Sequence, residues 1–252
     1  MSAWRFAEML VNGLEVEVDV DQELVEETLV PALAEVAARP RAHRRAFAFL
    51  VGPPGVGKST LAAVLAEAGA RRRPAPIEMD VVGIDGFHLP HSHLTSHHLR
   101  TAHGTVPLSS IKGAPETFDV EALARHLAAS ADDDVVWPTY DRRVHDVVPG
   151  TRPLSADLVV VEGNWLLLDE PGWRDLAVHA HYVVLLTGDP GLLRERLVER
   201  KVRGGLTPAE AEAFYERSDR LNVERVMASS DFSKVDLTLV VQADGTIQQG
   251  EM

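Results

Sequence analysis

The segment GPPGVGKS at residues 52–59 satisfies the spacing G-x-x-x-x-G-K-[ST]. Glycines in this pattern let backbone N–H groups turn inward on an anion. The lysine carries positive charge to the outer phosphates of a nucleotide, and the hydroxyl that follows is a ligand for a divalent cation. Gly52, Pro53, Pro54, Gly55, Val56, Gly57, Lys58, Ser59 and the adjoining Thr60 are therefore candidate nucleotide contacts, with Ser59 a candidate ligand of Mg²⁺. Moving a phosphoryl group onto an alcohol also calls for carboxylates, one to take the hydroxyl proton and one to help hold the metal shell. Asp85 and Glu162 each close a short apolar run and each precede a glycine, which sets both where an open α/β sheet binds ligands. Arg196, Arg200 and Arg203 recur at helical spacing, so they would share one face, and their planar N–H donors can follow charge as it spreads over a transferring phosphoryl group. The Gly204-Gly205 pair after them suits a hinge.

Elements must position these groups. Ala46–Val51 is an apolar run ending in the glycine-rich segment, the pattern of a strand buried on both faces of a parallel sheet. Residues 81–84, 135–137, 158–161 and 182–186 read the same way, and Leu237–Val241 reads as a last edge strand. Helical periodicity fills the intervals at 59–68, 120–129, 190–203 and 208–228. This alternation predicts an α/β fold, a doubly wound, mostly parallel sheet of about five strands flanked by helices. Leu24, Val25, Leu29, Leu33 and Val36 place a helix over 21–39, disturbed near Pro31, and residues 1–44 read as an N-terminal helical extension. Residues 86–118 lack periodicity, and a loop of that length in a compact domain is usually functional. Histidines 88, 91, 93, 97, 98 and 103 crowd it, but with no tight His/carboxylate set they read as a polar loop rather than a zinc site. His88, beside Asp85, is the member placed to touch an acceptor.

The 252 residues, 45% of them hydrophobic, suffice for one large domain, taken as 1–252. A formal charge of −13 opposes binding to nucleic acid or anionic membrane. The absence of cysteine excludes disulfides, thiolate metal sites and a cysteine nucleophile. No apolar run is long enough to span a bilayer, and the first residues lack the marks of a signal peptide, so a cytoplasmic location is expected.

From about residue 46 to 241 the chain resembles the P-loop kinase family that contains uridine kinase, pantothenate kinase and phosphoribulokinase. Beyond the phosphate loop the resemblance rests on DGFHLP at 85–90, KGAPETFD at 112–119, PTYDRRVHD at 138–146 and VEGNWLLLD at 161–169. It implies a P-loop NTPase fold, ATP and Mg²⁺ as cofactors and a small-molecule acceptor. It also implies Asp85 as catalytic base, with Lys58, Arg196 and Arg200 serving the transfer, Glu162 as a metal-shell or substrate residue, and 194–207 as an arginine-bearing lid whose Arg203 faces ATP. On the acceptor side, which takes in the loop at 86–118, it points to His88, Lys112, Glu116, Tyr140, Arg142 and His145. The match there is divided. Pantothenate kinase shares K-G-x-P-E at 112–116 but has histidine at the place of Arg142, whereas uridine kinase has an aspartate for the ribose hydroxyls at the place of Gly113 and a substrate-side histidine at that of His145. Donors such as Arg142, Arg143 and the loop histidines favour a sugar-like or acidic alcohol over a uridine-type nucleoside or pantothenate. The wording EGNWLLLD is most similar to bacterial members loosely described as nucleoside or fructose kinases. A GTPase-like switch is the rival of a different class; its guanine-reading element is matched loosely by SKVD at 233–236, which precedes a strand instead of following one. Assembly as a homodimer stays open.

Overall fold

The computed structural model describes residues 3–11, 14–101, 104–141, 144–150 and 153–250. At the N-terminus the reading of 1–44 as helical is corrected. Strands β1 (Ala3–Val11) and β2 (Leu14–Asp21) pair antiparallel as a hairpin. The stretch LEVEVDVD alternates acid and apolar residues with period two, which is a strand signal; helical spacing begins only at Leu24. A wide helical turn, Leu24–Leu29, then runs into α1 (Val30–Ala38). Pro31 sits in the first turn of α1, where its missing N–H costs nothing, so it does not break the helix.

The chain continues through β3 (Ala46–Val51), α2 (Lys58–Arg71) and β4 (Met79–Gly83). Residues 86–118 hold more structure than their lack of periodicity suggested: short 3₁₀ turns, α3 (His91–Ser96), and a small hairpin of β5 (His98–Thr101) and β6 (Gly104–Pro107). After α4 (Val120–Ser130), the expected strand at 135–137 is not formed. Val136 makes one isolated bridge to Pro153, while Trp137 turns inward and donates from Nε1 to the Gly83 carbonyl at 3.0 Å. The pairing occurs later, between β7 (Thr139–Asp141) and β8 (Asp146–Val148).

Strands β9 (Leu158–Gly163) and β10 (Tyr182–Gly188) follow. Then come α5 (Pro190–Arg203), α6 (Pro208–Phe214), α7 (Arg220–Ser229), β11 (Leu237–Val241) and β12 (Ile247–Gln249). The main sheet has the order β12-β11-β10-β3-β9-β4 and is parallel except for β12, a short antiparallel edge that raises the expected five strands to six. Central β3 alternates cleanly: Ala46, Ala48 and Leu50 pack with α1 and α2, while Phe47, Phe49 and Val51 pack with α4, Trp165 and Trp173. Each of these larger side chains contributes about 1.5–3 kcal/mol on burial. Arg45, fully buried at the start of β3, donates to the carbonyls of Ser130, Asp133, Leu154 and Ala156 and to the Asp134 carboxylate, tying the sheet to two neighbouring loops. Among the described residues no helix is long and apolar enough to cross a membrane.

Register then fixes the site. Val51 lies opposite Gly163, and Gly83 opposite Glu162, so β3, β4 and β9 end level with one another. Because β3 has β9 on one side and β10 on the other, the chain reverses its winding there, and a crevice opens at the carboxyl ends of these strands.

Candidate active site

The loop after β3 passes close under β10. A Cβ on Gly52 would lie 2.0 Å from the Leu186 carbonyl oxygen, so only glycine fits. Gly57, at φ 105°, makes the left-handed turn that starts α2, whose free N-terminal N–H groups and dipole face the loop. Lys58 is buried and donates from Nζ to the carbonyls of Gly52 at 2.9 Å and Pro53 at 3.0 Å, and to Asn164 Oδ1 at 2.6 Å. Burial pulls its pKa down to about 8; Glu162 and Asp85 oppose that shift and Arg200 adds to it. These effects put both carboxylates and Arg200 within electrostatic reach of one ammonium. Ser59 Oγ donates to Glu162 Oε1 at 2.7 Å, bringing hydroxyl and carboxylate together at the head of α2. Thr60 occupies the first turn of that helix.

Asp85 is exposed on the 3₁₀ turn Ile84–Phe87 that ends β4. The turn is held close to the following segment, since a Cβ on Gly86 would meet the Pro138 carbonyl oxygen at 2.0 Å. His88 Nδ1 pairs with the Asp85 carbonyl oxygen at 2.9 Å, and its ring lies against Phe118 with centroids 3.9 Å apart. Burial depresses the His88 pKa, favouring the neutral ring. His88 thus braces the Asp85 turn from beneath.

Among the residues expected on the acceptor side, Lys112 donates to the Tyr140 hydroxyl at 2.8 Å and to the His145 carbonyl at 2.9 Å. The His145 side chain is exposed on a residue with φ 54°. Glu116 is ion-paired with Arg225 on α7 at 2.7 Å, and the same guanidinium holds Glu170. Trp165 is fully buried and donates from Nε1 to the Gly113 carbonyl at 3.0 Å, fixing the loop at Gly113. Arg142, Arg143 and His103 lie outside the described residues.

Helix α5, expected to serve as a lid, packs directly on the phosphate loop, where a Cβ on Gly55 would come within 2.8 Å of Leu197 Cγ. Arg196, half-buried, reaches the Val56 carbonyl at 3.5 Å, and burial lowers its pKa. The structure does not gather all three arginines expected to face the nucleotide: Arg203 is exposed and pairs with Glu199 at 3.4 Å. Two residues not singled out in the sequence matter here. Asn164, which grips Lys58, stood in plain view two places after Glu162, whereas Arg225, which holds Glu116, lies on a helix with no motif to mark it.

No family model matches the chain. It is 42% identical over 225 residues to the uncharacterized protein YggC of Escherichia coli (strain K12), spanning 88% of this chain and 91% of that one. It is 30% identical over 208 residues to a putative uridine kinase of Schizosaccharomyces pombe, spanning 78% and 86% of the two chains. A crystal structure of a putative fructose transport system kinase from Silicibacter sp. TM1040 matches with a TM-score of 0.70 at 32% identity, covering 81% of this chain and 95% of that one.

Proposed function

We propose, from the premise that this chain belongs to the P-loop kinase family related to uridine kinase, pantothenate kinase and phosphoribulokinase, that it moves the γ-phosphoryl group of ATP onto a hydroxyl of a small sugar-like or acidic alcohol. The observation that carries this reading is the cluster around Lys58. The ammonium, the Ser59–Glu162 pair and Asp85 converge at one sheet edge, as phosphoryl transfer to an alcohol demands. Asp85 takes the proton of the acceptor hydroxyl as that oxygen bonds to the γ-phosphorus, and the bond to the β,γ-bridging oxygen breaks to leave ADP. Lys58, Arg196 and Arg200 hold the phosphate charge through the step.

Ser59 and Glu162 offer hard oxygen donors side by side, a fit for Mg²⁺, which keeps several waters and takes few protein ligands. Ser59 and Glu162 would hold such an ion, and it would supply positive charge to offset that of the phosphates. The acceptor is a free metabolite, in keeping with the charge of −13. The relatives described as a putative uridine kinase and a putative fructose transport system kinase are both named for hydroxyl-bearing acceptors, which supports the same class here. A uridine-type nucleoside is the second reading, favoured by Tyr140 and His88, whose rings lie 5.5 Å apart by the acceptor side.

A screen of sugars, polyols, acidic alcohols, nucleosides and pantothenate for acceptor-dependent ADP release tests the proposal. At least one acceptor should raise ADP release well above the ATP-only rate. Hydrolysis that no acceptor stimulates would point to a nucleotide switch instead.

A further inference from the structure

Three buried polar atoms lack a hydrogen-bond partner among the described residues and fall in one neighbourhood: Glu116 Oε2, Ser218 Oγ and Asp219 Oδ2. Ser218, Asp219 and the adjacent Asn222 are 3%, 6% and 6% exposed, far more buried than such side chains usually are. Several contacts bring them together. The turn Leu108–Ile111 packs on the wide helical turn Tyr215–Asp219. A Cβ on Gly113 would stand 3.6 Å from Asn222 Nδ2. Arg225, on the next turn of α7, clasps Glu116 through its other oxygen, Oε1. Ser218, Asn222 and Arg225 recur at four- and three-residue spacing, so they share one face, on which Asn222 lies by Gly113 and Arg225 holds Glu116. On the opposite flank, Arg200 acts electrostatically on both Asp219 and Lys58, which connects this face to the phosphate loop. Wide turns of the Tyr215–Asp219 kind inside helices are frequent at functional sites.

The charge balance of this face is informative. The cations around this face are already engaged: Lys112 by Tyr140 and the His145 carbonyl, and Arg225 by Glu116 and Glu170, while Lys201, Arg200 and Arg217 act electrostatically on the Asp219 carboxylate itself. What remains unsatisfied is two carboxylate oxygens and a hydroxyl. A buried polar atom without a partner keeps its full desolvation cost, and a ligand O–H donated to a carboxylate offsets that cost with a charge-assisted bond. A ligand carboxylate would meet like charge in a site with little water to screen it.

We infer that Glu116, Ser218, Asp219 and Asn222 form the surface that selects the acceptor, and that they select a neutral polyhydroxylated molecule, a sugar or polyol, against its carboxylate-bearing analogues. This rests on the kinase reading of the Lys58–Asp85 site and narrows it, since the acidic alcohols are removed. It also departs from the expectation drawn from Arg142, Arg143 and the histidines, which had weighed donors alone.

The test is calorimetric binding to the wild-type protein saturated with ADP and Mg²⁺, using fructose, sorbitol and ribitol against gluconate and glycerate. The best neutral polyol should bind at least tenfold more tightly than either acid. Asp219→Asn and Glu116→Gln should each weaken that polyol about tenfold while leaving the acids no weaker, so the gap closes. Binding of no neutral polyol, or acids binding as tightly as polyols, overturns the inference. A uniform fall in turnover for every acceptor in Asp219→Asn, with their ranking kept, also overturns it, because Asp219 would then be a positioning residue for Arg200. Failure of the parent reading looks different: no acceptor stimulates ADP release, whatever the binding order.

Discussion

Raising the pH through about 8 removes the proton from Lys58 while it is still surrounded by the phosphate loop. Burial moves this ammonium from 10.5 to about 8, which disfavours the charged form by roughly 3 kcal/mol. Only the protonated form attracts phosphate, so free protein must take up a proton to bind nucleotide above that pH. Affinity for ADP with Mg²⁺ should be nearly level from pH 7 to 7.5 and fall about tenfold by pH 9. Calorimetric titrations over that range, repeated in buffers of different ionisation enthalpy, read both the slope and the proton uptake. Lys58→Met keeps the apolar stem, and it should bind ADP weakly with no such slope. An affinity for the wild-type protein that stays constant to pH 9, or the same slope in Lys58→Met, would refute the reasoning. The same shift has a consequence for stability. The folded pKa lies below the unfolded one, so between about 8 and 10.5 the unfolded chain binds the extra proton, and the Lys58 contribution to stability rises with pH across that window.

Asp85→Asn should lower kcat by roughly 10²-fold in single-turnover measurements with little change in ADP affinity, whereas a collapse of nucleotide binding would make Asp85 a metal-shell residue. Glu162→Gln should raise the Mg²⁺ concentration needed for half-maximal ADP release by about tenfold or more, and an unchanged requirement would remove Glu162 from the metal shell. Gly86→Ala forces a methyl group against the Pro138 carbonyl, so urea denaturation should show a loss of about 1–3 kcal/mol; unaltered stability would contradict the close approach. Arg45→Met strips four buried carbonyls of their donor and should cost about 3 kcal/mol or more in the same assay, with a smaller loss arguing that water replaces the guanidinium.

The parts of this site that are local in sequence were readable from it. The loop at 52–59, the carboxylates at the ends of β4 and β9, and helix α5 all follow from patterns a few residues long, and in the structure Ser59 meets Glu162 while Glu162 and Asp85 both act electrostatically on Lys58. What sequence spacing did not reveal depends on contacts between distant segments. Arg225 reaches Glu116 across 109 positions, and Asn222 meets the loop at Gly113, neither with any motif to announce it. Trp137 shows the reverse failure. Its apolar run suggested a strand, but the indole finds a better partner in the Gly83 carbonyl, and burial there outweighs strand propensity. At the N-terminus the apolar residues of 24–36 drew the helical reading too far back, over a stretch whose alternation of valines with acidic residues had period two.

The central claim is that the γ-phosphoryl group leaves ATP for an organic hydroxyl. The direct measurement supplies ATP labelled at the γ-phosphate together with the best acceptor from the screen, then follows the label by mass spectrometry in the wild-type protein and in Asp85→Asn. The account predicts label on the acceptor as a phosphate monoester, formed one-for-one with ADP and slowed about 10²-fold by the substitution. Label found only in inorganic phosphate, at the same rate with and without acceptor, would contradict it.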